Sequence, residues 1–177
     1  GKGINWGGSR IRAEATGYGL VYFVEEMLLT KRNSITGKVV AISGSGNVAQ
    51  FAAEKAITMG ARVVTFSDSN GFVYDRQGVN AEKLAFVKEL KNVRRGRIEE
   101  YARHFKCDYF EGQRPWDVEC QVALPCATQN ELTGREARVL TRLLTGANGY
   151  NIGLSKNSDV SADWKWDTRL FSINQTV

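Results

Sequence analysis

The chain has 177 residues, 42% of them apolar and 24% charged, with a formal net charge of +5. Those values suit one soluble globular domain large enough to bury a real core. No apolar run approaches a membrane span of roughly 18 residues, and no leader pattern opens the chain, so a cytoplasmic protein without membrane contact is expected. Three cysteines (Cys107, Cys120, Cys126) are an odd number without metal-ligand spacing, which points to reduced thiols and no metal. The single histidine, His104, leaves little from which to build a histidine-dependent triad. Much of the basic excess lies in Lys91–Arg103, which also holds Glu99 and Glu100; without interleaved aromatics, no nucleic-acid partner is expected.

The opening segment, Gly1 to Ser9, is glycine-rich loop and starts as if cut from something longer. Ala15 to Lys31 reads as a helix, with Leu20, Phe23, Val24, Met27 and Leu28 on one stripe. Gly17 and Gly19 in its first turns each cost about 0.5–1 kcal/mol relative to Ala. Close approach of a ligand or of neighbouring backbone would offset that cost; a loosely wound helix start is the other reading.

Val39, Val40 and Ile42 form a short β-branched run, followed by Gly44-x-Gly46-x-x-Ala49 and then by apolar residues at helical spacing. Gly60 stands where the C-cap of that helix would fall. This strand, glycine turn and helix form the fingerprint of a dinucleotide fold. Gly44 permits the turn, Gly46 admits a diphosphate, and Ala49 allows close packing, while the helix N-terminus offers free N–H groups. A second β-branched strand, Arg62 to Ser67, ends at Asp68, 22 residues past Gly46, where a ribose-binding acid is expected. A plain glycine turn is the competing reading.

Farther on, Phe72-Val73-Tyr74 between Asn70-Gly71 and Gln77-Gly78 reads as a small hairpin. Asn80 is an N-cap candidate for a helix through Lys91, and Ile98 to Phe105 is a second helical stretch. Tyr109-Phe110 and Gln121–Leu124 read as strands, and Asn130 to about Leu144 as a final helix. Strands alternating with helices predict an α/β fold: a Rossmann-like doubly wound parallel sheet, incomplete at the C-terminal side.

Several of these stretches together carry a family likeness. Gly7 to Gly19 (GGSRIRAEATGYG), Ser43 to Ala49 (SGSGNVA), Ser67-Asp68-Ser69, Gly112-Gln113-x-Pro115-Trp116 and Ala123 to Leu132 (ALPCATQNEL) occur in order. The chain resembles the cofactor domain of the hexameric glutamate dehydrogenases over about residues 1–140. The resemblance implies that Thr16 bonds the nicotinamide carboxamide and that Asn47 meets the nicotinamide half. It implies that Gly44, Ser45, Gly46 and the Val48 N–H form the diphosphate cradle, and that Ala127, Thr128 and Asn130 line the nicotinamide ribose. Asn148 corresponds to a further nicotinamide-contacting asparagine in altered surroundings.

Asp68 alone favours NAD, because a carboxylate bonds a ribose 2′-OH and repels a 2′-phosphate. The Ser67-Asp68-Ser69 stretch instead resembles the NADP-using branch. Lys91, Arg94, Arg95 and Arg97 place four cations within seven residues, able to give a phosphate charge-assisted bonds. Lys91 and Arg97 align with the family's phosphate-binding pair. NADP is therefore expected over NAD, the alternative being a solvated basic helix end.

The family reaction is reversible oxidative deamination of L-glutamate to 2-oxoglutarate and ammonia, in a homohexamer. Its substrate lysines and catalytic aspartate belong to a preceding domain, so no catalytic residue is assigned here and the chain is expected to be inactive alone. A leucine- or phenylalanine-type dehydrogenase domain and a non-catalytic interaction module are the rival readings. Residues 1–148 are read as the dinucleotide-binding domain and 149–177 as a divergent, poorly ordered tail. Cys126, without a partnered histidine, reads as a small buried residue rather than a nucleophile.

Overall fold

The computed structural model describes residues 4–8 and 12–146, with side chains described as far as residue 140. The expected nicotinamide contact Asn148 and the 149–177 tail lie outside the described residues.

Helix α1 (Ala15–Leu29) stops two residues short of the expected Lys31, and Thr30 caps it. Strand β1 (Val39–Ile42) leads through the glycine turn into α2 (Asn47–Thr58). The second β-branched run divides at Val64 into β2 (Arg62–Val63) and β3 (Thr65–Asp68). Then come β4 (Gly71–Tyr74), α3 (Ala81–Asn92), α4 (Glu99–Phe105), β5 (Asp108–Glu111), β6 (Val122–Leu124) and α5 (Gly134–Gly146).

β1 is the centre of a three-stranded parallel sheet in the order β2-β1-β6, with Val40 facing Val63 on one side and Val122 on the other. Side-chain alternation sends Val40 and Ile42 into the core shared with α1 and α2. Ala41 points to the opposite face, with Trp116 and Leu140 of α5. Helices therefore cover both faces of this sheet, as a doubly wound α/β fold requires.

The split at Val64 has a local cause. Val64 N–H still bonds the Val40 carbonyl, and beyond it hydroxyls join the ladder to β1 alongside the Ser67 N–H, which bonds the Gly44 carbonyl. Thr65 Oγ1 accepts from Ile42 N–H at 2.8 Å and donates to the Ile42 carbonyl at 2.9 Å. Ser67 Oγ accepts from Gly44 N–H at 2.7 Å. The other edge of the β3 backbone pairs with β4.

That pairing is antiparallel, in a second sheet ordered β3-β4-β5. A parallel sheet with a small hairpin around Phe72-Val73-Tyr74 was expected, and β4 is a strand of that hairpin. Ser69-Asn70 turns the chain between the paired residues Asp68 and Gly71, so β4 runs backwards. β5 reverses again and recovers the direction of β3. The short motif around Phe72-Val73-Tyr74 is thus half of a hairpin with β3 rather than a separate excursion.

The caps account for the helix boundaries. Asn80 Oδ1 accepts from Lys83 N–H at 2.9 Å, the expected N-cap of α3. α5 begins later than the expected Asn130, because Thr133 and Glu136 make a reciprocal capping box: Thr133 N–H donates to the Glu136 carboxylate at 2.7 Å, and Glu136 N–H to Thr133 Oγ1 at 3.3 Å. Among the described residues, no helix is long and apolar enough to cross a membrane.

Candidate functional site

The carboxyl ends of β1, β3 and β6 deliver three turns to one edge of the molecule, the edge where open α/β sheets place ligands. Each turn carries residues singled out in the sequence.

The turn after β1 is shaped by close packing. Gly44 has φ +77°, and a Cβ there would stand 2.9 Å from the Cys126 carbonyl and 3.0 Å from Ala127 Cα. Its missing side chain is therefore required by the neighbouring β6 turn as well as by the backbone conformation. A Cβ on Gly46 would meet nothing within 4 Å. Gly46 is the N-cap of α2, and no side chain caps that helix, so its first-turn amides keep their bonding capacity for an anion. Ser45 is buried, whereas Gly46 and Asn47 are exposed.

Thr16 lies one residue before Gly17, where α1 crosses α2. A Cβ on Gly17 would come within 2.6 Å of Ala52 N and 2.7 Å of the Val48 carbonyl. The helix-start glycine thus answers to neighbouring backbone, one of the two candidates raised by its cost. Gly19 meets nothing within 4 Å. Asn47 Nδ2 donates to the Ala13 carbonyl at 2.6 Å, tying the start of α2 to the segment that enters α1. Thr16, Asn47 and Val48 are brought into one neighbourhood.

Asp68, at the end of β3, is more heavily engaged than the sequence indicated. Its Oδ1 accepts from Asn70 N–H and its Oδ2 from Ile98 N–H, both at 2.9 Å, and Lys91 Nζ stands 3.5 Å from Oδ2. The carboxylate pins the basic segment against the sheet. Lys91 Nζ also donates to the Gly96 carbonyl at 2.9 Å, and Arg97 Nη1 donates to Ser69 Oγ at 2.9 Å. Ser69, Lys91 and Arg97 therefore converge. Arg94 is paired with Glu100; among the described residues, no carboxylate forms an ion pair with Arg97.

The turn after β6 holds Ala127, Thr128 and Asn130, all exposed, with Asn130 left-handed at φ +54°. Two residues not singled out in the sequence hold this turn. Ser43 Oγ accepts from Cys126 N–H at 2.9 Å, and a Glu131 carboxylate oxygen accepts from Ala127 N–H at 3.0 Å. Burial pushes the Glu131 carboxyl above its ordinary value, and bonds from the Ser43 hydroxyl and the Ala127 and Thr128 amides, with the nearby Arg114 charge, oppose the shift. Burial likewise pushes the Cys126 thiol well above its ordinary range, away from the thiolate a nucleophile needs.

Gln50 was also missed. Its carboxamide is buried beneath the glycine turn, bonded to the Ser45 carbonyl and to Asn92. The helical spacing gave no signal for it, since a glutamine is ordinarily solvent-facing.

Residues 7–158 match the family described as glutamate/leucine/phenylalanine/valine dehydrogenase, a match running past the point near Leu140 where the motif likeness was read to end. The chain is 57% identical over 142 residues to an NADP-specific glutamate dehydrogenase of Haemophilus influenzae, covering 80% of this chain and 32% of that protein. It is 57% identical over 140 residues to an NAD(P)-specific glutamate dehydrogenase of Xylanibacter ruminicola, covering 79% and 32%. The solved structure of Plasmodium falciparum glutamate dehydrogenase 2 superposes with a TM-score of 0.74 at 47% identity, covering 81% of this chain and 32% of that one. The chain thus spans about a third of the length of the curated relatives it matches.

Proposed function

This chain belongs to the glutamate/leucine/phenylalanine/valine dehydrogenase family, and from that premise we propose that residues 1–148 are the NADP-binding domain of a glutamate dehydrogenase. The parent reaction is reversible oxidative deamination of L-glutamate to 2-oxoglutarate and ammonia. The observation that carries the cofactor reading is the placement of Arg97 and Ser69 beside Asp68, at the end of the strand next to the glycine turn.

The residues present fit such a cofactor. Open space above Gly46 and the uncapped start of α2 suit a diphosphate. Lys91 sits against Asp68 and offsets the carboxylate that would otherwise repel a 2′-phosphate, while Arg97 and Ser69 face the same point. When bound, the nicotinamide supplies the hydride chemistry. The chain's own work is to bind and orient: the Gly46–Val48 amides hold the diphosphate, Lys91, Arg97 and Ser69 the 2′-phosphate, and Thr16, Asn47, Ala127, Thr128 and Asn130 surround the nicotinamide half. None of these residues is assigned a proton-transfer step. Glutamate as the parent substrate, rather than a branched or aromatic amino acid, is supported by the names of both curated relatives.

Calorimetric titration of the purified chain with NADPH and NADH tests the reading. Saturable binding with NADPH preferred is expected; absence of saturable binding to either nucleotide overturns it in favour of a non-catalytic module.

A further inference from the structure

Gln50 is 1% exposed and lies in the first turn of α2. A buried carboxamide is costly unless its donors and acceptor are met. Here Nε2 donates to the Ser45 carbonyl at 2.8 Å and to Asn92 Oδ1 at 3.2 Å, and Oε1 accepts from Asn92 Nδ2 at 3.0 Å. Helical side chains lean toward the N-terminus, which lets Gln50 reach back to the turn that precedes its own helix.

Those bonds act at both ends. In a planar trans peptide the carbonyl and the N–H point in opposite directions. By drawing the Ser45 carbonyl toward the buried side, Gln50 turns the Gly46 N–H toward the exposed side of the turn. At the other end Asn92 closes α3 directly after Lys91, whose Nζ reaches the Gly96 carbonyl and the Asp68 carboxylate. One carboxamide is thus bonded to the diphosphate turn and to the neighbour of a basic-turn cation.

We propose that Gln50 and Asn92 are a positioning pair that fixes the spacing between the glycine turn and the basic turn, and thereby sets the preference for a 2′-phosphorylated dinucleotide. This rests on the cofactor role proposed above. A dinucleotide with a 2′-phosphate must satisfy both turns at once, and one with a 2′-hydroxyl engages chiefly the glycine turn. Loosening the tie therefore penalises the first ligand more than the second. A residue that only supports the fold would penalise both equally.

The test is calorimetric titration of the 177-residue chain and its variants with NADPH and NADH, with thermal unfolding recorded alongside. Asn92→Ala, at an exposed position, is expected to weaken NADPH roughly threefold to tenfold while NADH stays within about twofold, the scale of a lost hydrogen bond. Gln50→Met, similar in volume without the amide, is expected to weaken both nucleotides and NADPH more. Adding Asn92→Ala to Gln50→Met is expected to change the NADPH:NADH ratio no further, because the two residues act through one contact. If the unmutated chain prefers NADPH and Asn92→Ala keeps that ratio, the positioning role is overturned and the cofactor reading stands. If the unmutated chain binds neither nucleotide, both are overturned. Should Gln50→Met fail to fold, Asn92→Ala alone decides.

Discussion

The turn between β1 and α2 contains no charged side chain, whereas the end of α3 and the segment joining it to α4 carry four cations within seven residues. At the first, small residues do the shaping. Gly44 admits the β6 turn, Gly17 admits the backbone of α2, and Ala49, Ala52, Ala53 and Ala56 are fully buried between the helices. What is presented to a ligand there is backbone N–H, aimed by packing. At the second, carboxylates do the shaping: Asp68 holds Lys91 and the Ile98 amide, and Glu100 holds Arg94. Among the described residues Arg95 and Arg97 form no ion pair, and Arg97 rests on a serine hydroxyl. The contrast is between a turn shaped by spacing alone and one shaped by which cations neighbouring carboxylates neutralise.

The two glycines of the first turn offer the largest break in that comparison. Gly44→Ala puts a Cβ against the Cys126 carbonyl in a left-handed backbone, and unfolding should show a loss of roughly 2–4 kcal/mol. Gly46→Ala should keep stability within about 1 kcal/mol of the native chain. It should still weaken both NADPH and NADH, because the added methyl occupies the space open above the turn. Equal stability losses for the two variants would contradict the packing assigned to Gly44.

At the basic turn the comparison is between two arginines. Arg97→Ala should weaken NADPH about tenfold, the scale of a charge-assisted bond, with little change for NADH. Arg94→Ala, whose cation is already paired with Glu100, should change either nucleotide by less than about twofold. Calorimetry on both variants distinguishes a specific cation from general positive charge.

The smallest effect concerns the struts behind the two turns. Glu54 on α2 accepts from Tyr18 of α1 and from Lys88 of α3. The Lys88 bond, then the Tyr18 bond, holds the Glu54 carboxyl below its ordinary 4.5. Its stabilisation is therefore present above pH 4.5 and lost as pH falls through the lowered value. Tyr18 is pushed up to about 12, chiefly by the same bond, so its contribution is present below pH 10 and lost as pH rises through about 12. In thermal melts across pH, Glu54→Gln should flatten part of the acid limb and Tyr18→Phe part of the alkaline limb. Both effects are small because Glu54 and Lys88 are each about a third exposed.

Much of the parallel half was legible because its signals are local. β-branched runs, glycine spacing and the Asn80 cap depend on residues a few positions apart, and β1, α2 and α3 appear within a residue or two of expectation. The hairpin around Phe72-Val73-Tyr74 was legible, but not that β3 forms its other half. β4 is reversed by the Ser69-Asn70 turn, and the Thr65 and Ser67 hydroxyls that help tie β3 to β1 are contacts that alternation patterns do not encode. Asp68 was legible as an acid at the right distance, but its engagement with Ile98 and Lys91 joins residues about thirty and twenty positions away.

The order of residues along the chain determined which groups exist to meet a dinucleotide: a glycine turn opening a helix, an acid at a strand end, and a cluster of cations. Tertiary structure alone decided which of them stay free to do so. Neutralisation and burial are set by distance in space: Glu54, Gln50 and Glu131 each serve a partner on another element, or on the turn before their own, that no local pattern names.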